Sequence, residues 1–177
     1  MLWMTEGWLI YELSGSKVLL GINALAQVVP ATILTLFGGV LADKLDQRRL
    51  LILLQILQAM VMCAMAALAL SQFVEVWHII AAAFVMSGLG AFENPARQAM
   101  FPLLVDRSSM TSAVSLNATI HPGTRVIGPV IAGFALAAVV DTTNSAMIAG
   151  GVVFSITAIG FLVFAGVLWA VNLPAIH

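Results

Sequence analysis

Five stretches of this chain are apolar for long enough to cross a lipid bilayer, and short polar breaks separate them. Residues 18–42 form a run of 25 without a charge, and residues 49–71 carry only Arg49 at their first position. Residues 76–92 are shorter, at 17, but uncharged, and residues 145–171 are again long and free of charge. Residues 112–140 are apolar in the mean, yet carry Asn117, His121, Arg125 and two prolines. A hydrocarbon core of about 30 Å takes about 20 helical residues to cross, so each stretch is predicted to be a membrane span. Residues 1–13 are too few to cross and contain Glu6 together with Trp3, Trp8 and Tyr11. A secretory signal would begin with basic residues and end in a small-residue cleavage site. The segment is therefore expected to be the C-terminal part of an incomplete first span. The pattern predicts one all-α membrane domain over residues 1–177, with five complete spans and a partial first one.

Composition closes off the alternatives. Of the 177 residues 62% are hydrophobic and 8% charged, where a soluble domain carries about 25% charged residues. Seven basic against eight acidic residues leave a formal charge of -1, which excludes a polybasic nucleic-acid surface. Cys63 stands alone in an apolar run, so neither an internal disulfide nor a cysteine metal site is expected.

The few charges set the orientation. Residues 43–48 and 94–111 contain Lys44, Arg48, Arg97 and Arg107, with Arg49 adjoining, whereas the opposite connections hold Lys17 against Glu12, Glu75 and Asp141. Basic loops stay on the cytoplasmic side, so residues 43–48 and 94–111 are predicted to be cytoplasmic and the chain to sit in the inner or plasma membrane. In the longer loop, Asn94 followed by Pro95 reads as a helix start, because Asn caps free N–H groups and Pro has none to lose. Ala96, Ala99, Met100 and Leu103 recur at helical spacing beside Arg97 and Gln98, which predicts a short amphipathic helix on the membrane surface.

Candidate chemistry is sparse. Arg125 lies about 20 Å into its span, near the bilayer centre, where a charge costs about 2.5–3.5 kcal/mol on insertion scales and should face a cavity or a partner. Asn117, His121 and Arg125 are spaced by four and share a helix face. Glu6 is the one acid inside an apolar stretch, and an Arg125–Glu6 pair is a candidate coupling device. Glu93 and Arg97, four apart, are expected to pair at the membrane boundary with little effect on stability. No paired membrane carboxylates, no zinc-type His pair and no serine elbow are expected, so the chain does not read as an enzyme.

Three motifs carry a resemblance. Residues 37–49, with Gly39, Asp43, Lys44 and Arg48 in register and Arg49 following, resemble the loop between helices two and three of the major facilitator superfamily; Asp46 replaces its usual glycine and Gln47 a basic residue. Residues 92–105, including Pro95, Arg97 and Gln98, look like the loop between helices four and five in the enterobactin-exporter-like branch. Gly128, Pro129 and Gly133 are similar to the Gly-Pro element of helix five associated with antiporters, with Ala132 for one glycine. Phe84 stands where the superfamily has a helix-four arginine.

The resemblance implies the N-terminal six-helix half of a twelve-helix transporter whose cavity lies between two halves. It implies ion-coupled efflux of small amphipathic molecules of drug or siderophore type by antiport, with a proton gradient as the driving force and no bound cofactor or metal required. The implied partners are the lipid bilayer, a small-molecule substrate, and a C-terminal half or a second copy. Two alternatives stay open: a truncated, non-transporting membrane interaction protein, or a half-transporter active only as a dimer. For the topology, cysteines placed at Gln47 and Ser108 in a Cys63→Ala background should resist an impermeant maleimide added outside intact cells. Labelling there overturns the orientation.

Overall fold

The computed structural model describes the backbone of residues 2–44, 46–104 and 110–170, and the side chains of residues 2–35, 46–98, 100 and 126–170. Among the described residues six helices follow one another: α1 (Leu2–Ser14), α2 (Lys17–Lys44), α3 (Gln47–Leu70), α4 (Val76–Leu104), α5 (Met110–Thr143) and α6 (Ala146–Ala170). Five of them are long and apolar enough to cross a membrane. At 1.5 Å per residue α1 is about 20 Å long, short of a full crossing. The expected all-α architecture with five spans is the one observed, preceded by the short α1.

Two expected boundaries move. Asp43 and Lys44 belong to the last turn of α2, so the loop expected over 43–48 shrinks to the residues between Lys44 and Gln47. The helix start expected at Asn94 and Pro95 does not occur, because α4 continues unbroken through both to Leu104. A capping signal is local, and inside a bundle neighbouring helices can take over the hydrogen bond that proline forfeits. Pro95, Arg97 and Gln98 therefore lie on the extension of a span.

Helix ends close in ways the residue types explain. Gly15 adopts φ +62°, a left-handed conformation that costs glycine nothing, and its N–H donates to Tyr11 O at 2.7 Å, so α1 stops and α2 turns back. Asp46 caps α3 by accepting from the N–H groups of Arg48 and Arg49 at 3.0 and 3.3 Å. Asn144, also left-handed, ends α5, in keeping with the tolerance of Asn for that region.

Packing centres on α3, which lies chiefly against α6 and α4, while α2 lies along α4. One apolar cluster joins Leu9 and Ile10 of α1 to Met62, Met65, Ala66 and Ala69 of α3, Ile79 of α4 and Phe154 of α6. A second joins Leu50, Leu51 and Leu54 of α3 to Ala96 and Met100 of α4 and Leu168 of α6. Trp77 is exposed, stacks on His78 with ring centroids 3.8 Å apart, and donates to Glu75 at 2.6 Å.

The α3–α6 crossing depends on Gly151. A Cβ built there would stand 2.8 Å from Leu70 Cγ and 3.1 Å from the Leu70 backbone nitrogen. Gly151→Val should lower the free energy of unfolding by about 1–3 kcal/mol through overpacking. Gly160→Ala, with nothing within 4 Å of its Cβ, should change it by less than about 0.5 kcal/mol. Detergent-micelle unfolding titrations check both, and equal costs would contradict the close approach.

Candidate functional site

A cavity of about 800 Å³ opens among all six helices. Its lining is mostly apolar, with Met4 from α1, Ala31 from α2, Ala83 and Met86 from α4, Pro129 from α5 and Phe161 from α6. Among the described residues, two carboxylates, Glu6 and Glu93, and three amides, Gln27, Gln58 and Asn94, interrupt it. Charged groups are costly inside a membrane protein unless they face a cavity or a partner, and both of these acids do both.

Glu6 sits on α1 about 12 Å from the Ser14 end, counting helical rise, and is 3% exposed. Gln27 of α2 donates its side-chain N–H to Glu6 Oε2 at 2.9 Å. Asn23, one turn earlier on the same face of α2, hydrogen-bonds it as well. The Gln27 carbonyl in turn accepts from the Ser87 hydroxyl of α4, so this pole joins three helices.

Glu93 lies about 26 Å from the start of α4 by the same count. Its two oxygens accept from Gln55 Nε2 at 3.1 Å and Gln58 Nε2 at 2.9 Å. Those amides stand three apart on α3 and are 1% and 2% exposed. Arg97, one turn further along α4, pairs with Glu93 Oε1, and its guanidinium lies 5.2 Å from the centroid of the Phe164 ring on α6. The expected Glu93–Arg97 pair is present, but it is no exposed surface pair, for Glu93 is largely buried and held by α3. Glu6 and Glu93 line one cavity at two depths, each held by its own amides and not paired with the other.

The remaining candidates fall into three groups. Arg48 donates Nε to Leu168 O at 2.8 Å and Nη2 to Trp169 O at 2.7 Å, closing the C-terminal end of α6. Arg49 makes a solvent-exposed contact of 3.4 Å with Asp46. On α5, Pro129 lines the cavity, Gly128 is half-buried, and a Cβ on Gly133 would touch Met4 Cε at 3.5 Å, so the Gly-Pro element packs toward α1 as a small-residue surface. The side chains of Gln47's preceding motif members Gly39, Asp43 and Lys44, and those of Asn117, His121 and Arg125, lie outside the described residues, although all six positions are helical. Pro95 is half-buried and Gln98 exposed. Among the described residues no group of three or more metal-ligating side chains forms.

Sequence reasoning passed over Asn23, Gln27, Gln55 and Gln58. A signal was available: amides spaced by four on α2 and by three on α3 place two polar groups on one face of an otherwise apolar span.

A bundle of apolar helices around a membrane-depth cavity with polar poles is the architecture of a transporter half. The chain belongs to the family described as transmembrane secretion effector, within the major facilitator superfamily; the match covers residues 2–174. That family consists of transporters and not of enzymes. The chain is 36% identical over 131 residues to a staphyloferrin A transporter of Staphylococcus aureus, covering 73% of this chain and 33% of that protein. It is 31% identical over 161 residues to the multidrug efflux pump Tap of Mycolicibacterium fortuitum, covering 88% of this chain and 39% of the pump. It is 26% identical over 121 residues to macrolide efflux protein A of Streptococcus pyogenes, covering 68% of this chain and 30% of that protein. The chain thus spans about a third of the length of these relatives. No solved structure matches it.

Arg48 and Arg49 invite a direct comparison. Arg48→Gln removes two charge-assisted bonds to the last carbonyls of α6 and should lower the free energy of unfolding by about 1–2 kcal/mol. Arg49→Gln should cost less than about 0.5 kcal/mol. Equal effects in the same unfolding titration would show that the α6 contact contributes nothing.

Proposed function

We propose that this chain forms the N-terminal six-helix half of a secondary transporter in the inner or plasma membrane, which exports small amphipathic molecules by alternating access. The observation that carries the reading is the cavity itself: apolar walls for a hydrophobic body, with Glu6 and Glu93 set into them at two depths. Relatives named for a staphyloferrin A transporter, a multidrug efflux pump and a macrolide efflux protein support export of drug-like or siderophore-like cargo. A proton gradient drives the cycle by antiport, with Glu6 as the group that exchanges protons and Arg125 as its partner or as a contact for anionic substrate groups. Asn117 and His121 continue the Arg125 face. Gly39, Asp43, Lys44, Arg48 and Arg49 govern the conformational equilibrium at the cytoplasmic end, and no bound cofactor takes part. The finer placement in the enterobactin-exporter-like branch rests on residues 92–105.

The partner is a C-terminal six-helix half or a second copy. Supporting this, α2 leaves Val18, Leu25, Val28 and Ile33 uncovered, and α5 leaves Val126, Val130 and Phe134 uncovered. Flux of a fluorescent amphipath in proteoliposomes with an imposed pH gradient tests the whole reading. Flux with this chain alone identifies a homodimer, flux only with a C-terminal half identifies a half-transporter, and no flux in either case leaves a non-transporting interaction protein. Where flux is found, Glu6→Gln should remove its dependence on the gradient, and Asp43→Asn should slow it at unchanged equilibrium binding. Arg125→Ala should abolish it at normal insertion, and normal transport by that variant overturns the role given to Arg125.

A further inference from the structure

The second pole of the cavity has features that pairing alone does not explain. Gln55 and Gln58 both turn their N–H groups onto Glu93, which leaves the Oε1 atom of each buried without a hydrogen-bond partner. Buried acceptors left unpaired carry a desolvation penalty, and here two of them stand beside a carboxylate. The amide orientations are settled by the network, since only the nitrogen can donate to a carboxylate oxygen. The cluster is therefore rich in acceptors and short of donors.

Its one cation among the described residues is loosely committed. The Arg97 side chain is 54% exposed, against 15% for Glu93, and it reaches a single carboxylate oxygen from the same helix. Its guanidinium also lies over Phe164, where a cation is attracted by the face of the ring. Arg97 can leave the carboxylate without movement of the backbone and without losing every favourable contact. Glu93 cannot be left bare, because a buried carboxylate stripped of its counter-ion is strongly unfavourable. Whatever displaces Arg97 must bring a positive charge, and N–H donors suit the idle amide oxygens.

We propose that Glu93 is a cation-exchange subsite of the cavity, at which the ammonium group of an amphipathic amine replaces Arg97 on the carboxylate while Arg97 shifts onto Phe164. The ammonium takes over the neutralisation of the carboxylate, and the charge of the half-exposed Arg97 is left to the ring face and to solvent. Gln55 and Gln58 hold the carboxylate in position through the exchange and accept from the incoming ammonium, and the apolar cavity takes the body of the molecule. The inference rests on the reading of the cavity as the substrate site.

The test compares equilibrium binding of dansylcadaverine, a primary amine, and its N-acetyl derivative, which has the same apolar body and no charge, to the protein in nanodiscs. The wild type should prefer the amine. Glu93→Gln should weaken amine binding about tenfold and leave the acetylated probe unaffected, while Glu93→Asp retains a preference for the amine. Arg97→Gln removes the competitor and should strengthen amine binding several-fold, again without effect on the acetylated probe, which also reports that the variants are folded. If Arg97→Gln weakens amine binding as Glu93→Gln does, the pair is a structural clamp and the proposal fails. It fails equally if the wild type shows no preference, or if either variant shifts both probes alike. Selective binding without flux of either probe in proteoliposomes, with this chain alone and with a C-terminal half supplied, leaves the subsite standing and refutes the transport reading; flux without selectivity does the reverse.

Discussion

A hydrocarbon interior offers no water to a polar group, so each donor and acceptor carried into it must be satisfied by the protein or by a cavity the protein encloses. The backbone meets this demand by being helical almost throughout. Side chains meet it by meeting one another. Each carboxylate at cavity depth is held by amides from a neighbouring helix, Glu6 by Asn23 and Gln27 of α2, Glu93 by Gln55 and Gln58 of α3. An amide can donate to a carboxylate without bringing a charge of its own, so it holds the acid in place and leaves its charge available. Had both partners been arginines, the poles would have been neutralised inside the wall.

The same demand shapes the helix ends. The last carbonyls of a helix have no partner within it, and at the end of α6 they find Arg48 from the first turn of α3. This contact lies beside the apolar cluster of Leu50, Leu54, Ala96 and Leu168, so α3, α4 and α6 are joined by packing and by charge at one level of the bundle. Arg97 over Phe164 adds a link between α4 and α6 near that end. Small residues do the equivalent task where no polar contact exists, as at Gly151 against Leu70.

Spans were legible in the sequence because an uncharged run of twenty or so residues has few other meanings. The site was less so, for identifiable reasons. Counting charges as the ends of spans stopped the fourth one at Phe92 and left Glu93 at the membrane boundary, although a carboxylate with partners on another helix can lie inside. Which residues of α3 face α4 depends on how two helices are set against each other, and a single chain's pattern does not reveal that angle. Asn94 and Pro95 misled because capping preferences are measured where water competes for the backbone. Within α4 the neighbouring helices replace that water. Glu6 was legible for the opposite reason: it is an acid among apolar residues with no nearby charge to account for it.

α4 belongs to both poles. It supplies Ser87 to the Gln27 carbonyl on one side and Glu93 and Arg97 on the other, and it packs along α2 and against α3. A shift of α1 and α2 relative to α3 and α6 would therefore strain α4 at two depths and break hydrogen bonds that have no aqueous substitute. Displacement of α1, α2, α3, α4 and α6 as a single body breaks none of them. The uncovered residues described on α2 and α5, such as Val28, Ile33, Val130 and Phe134, are apolar, and surfaces joined by dispersion alone slide at lower cost than surfaces joined by buried hydrogen bonds. Sliding at those two faces would carry both carboxylates along in fixed relation to each other.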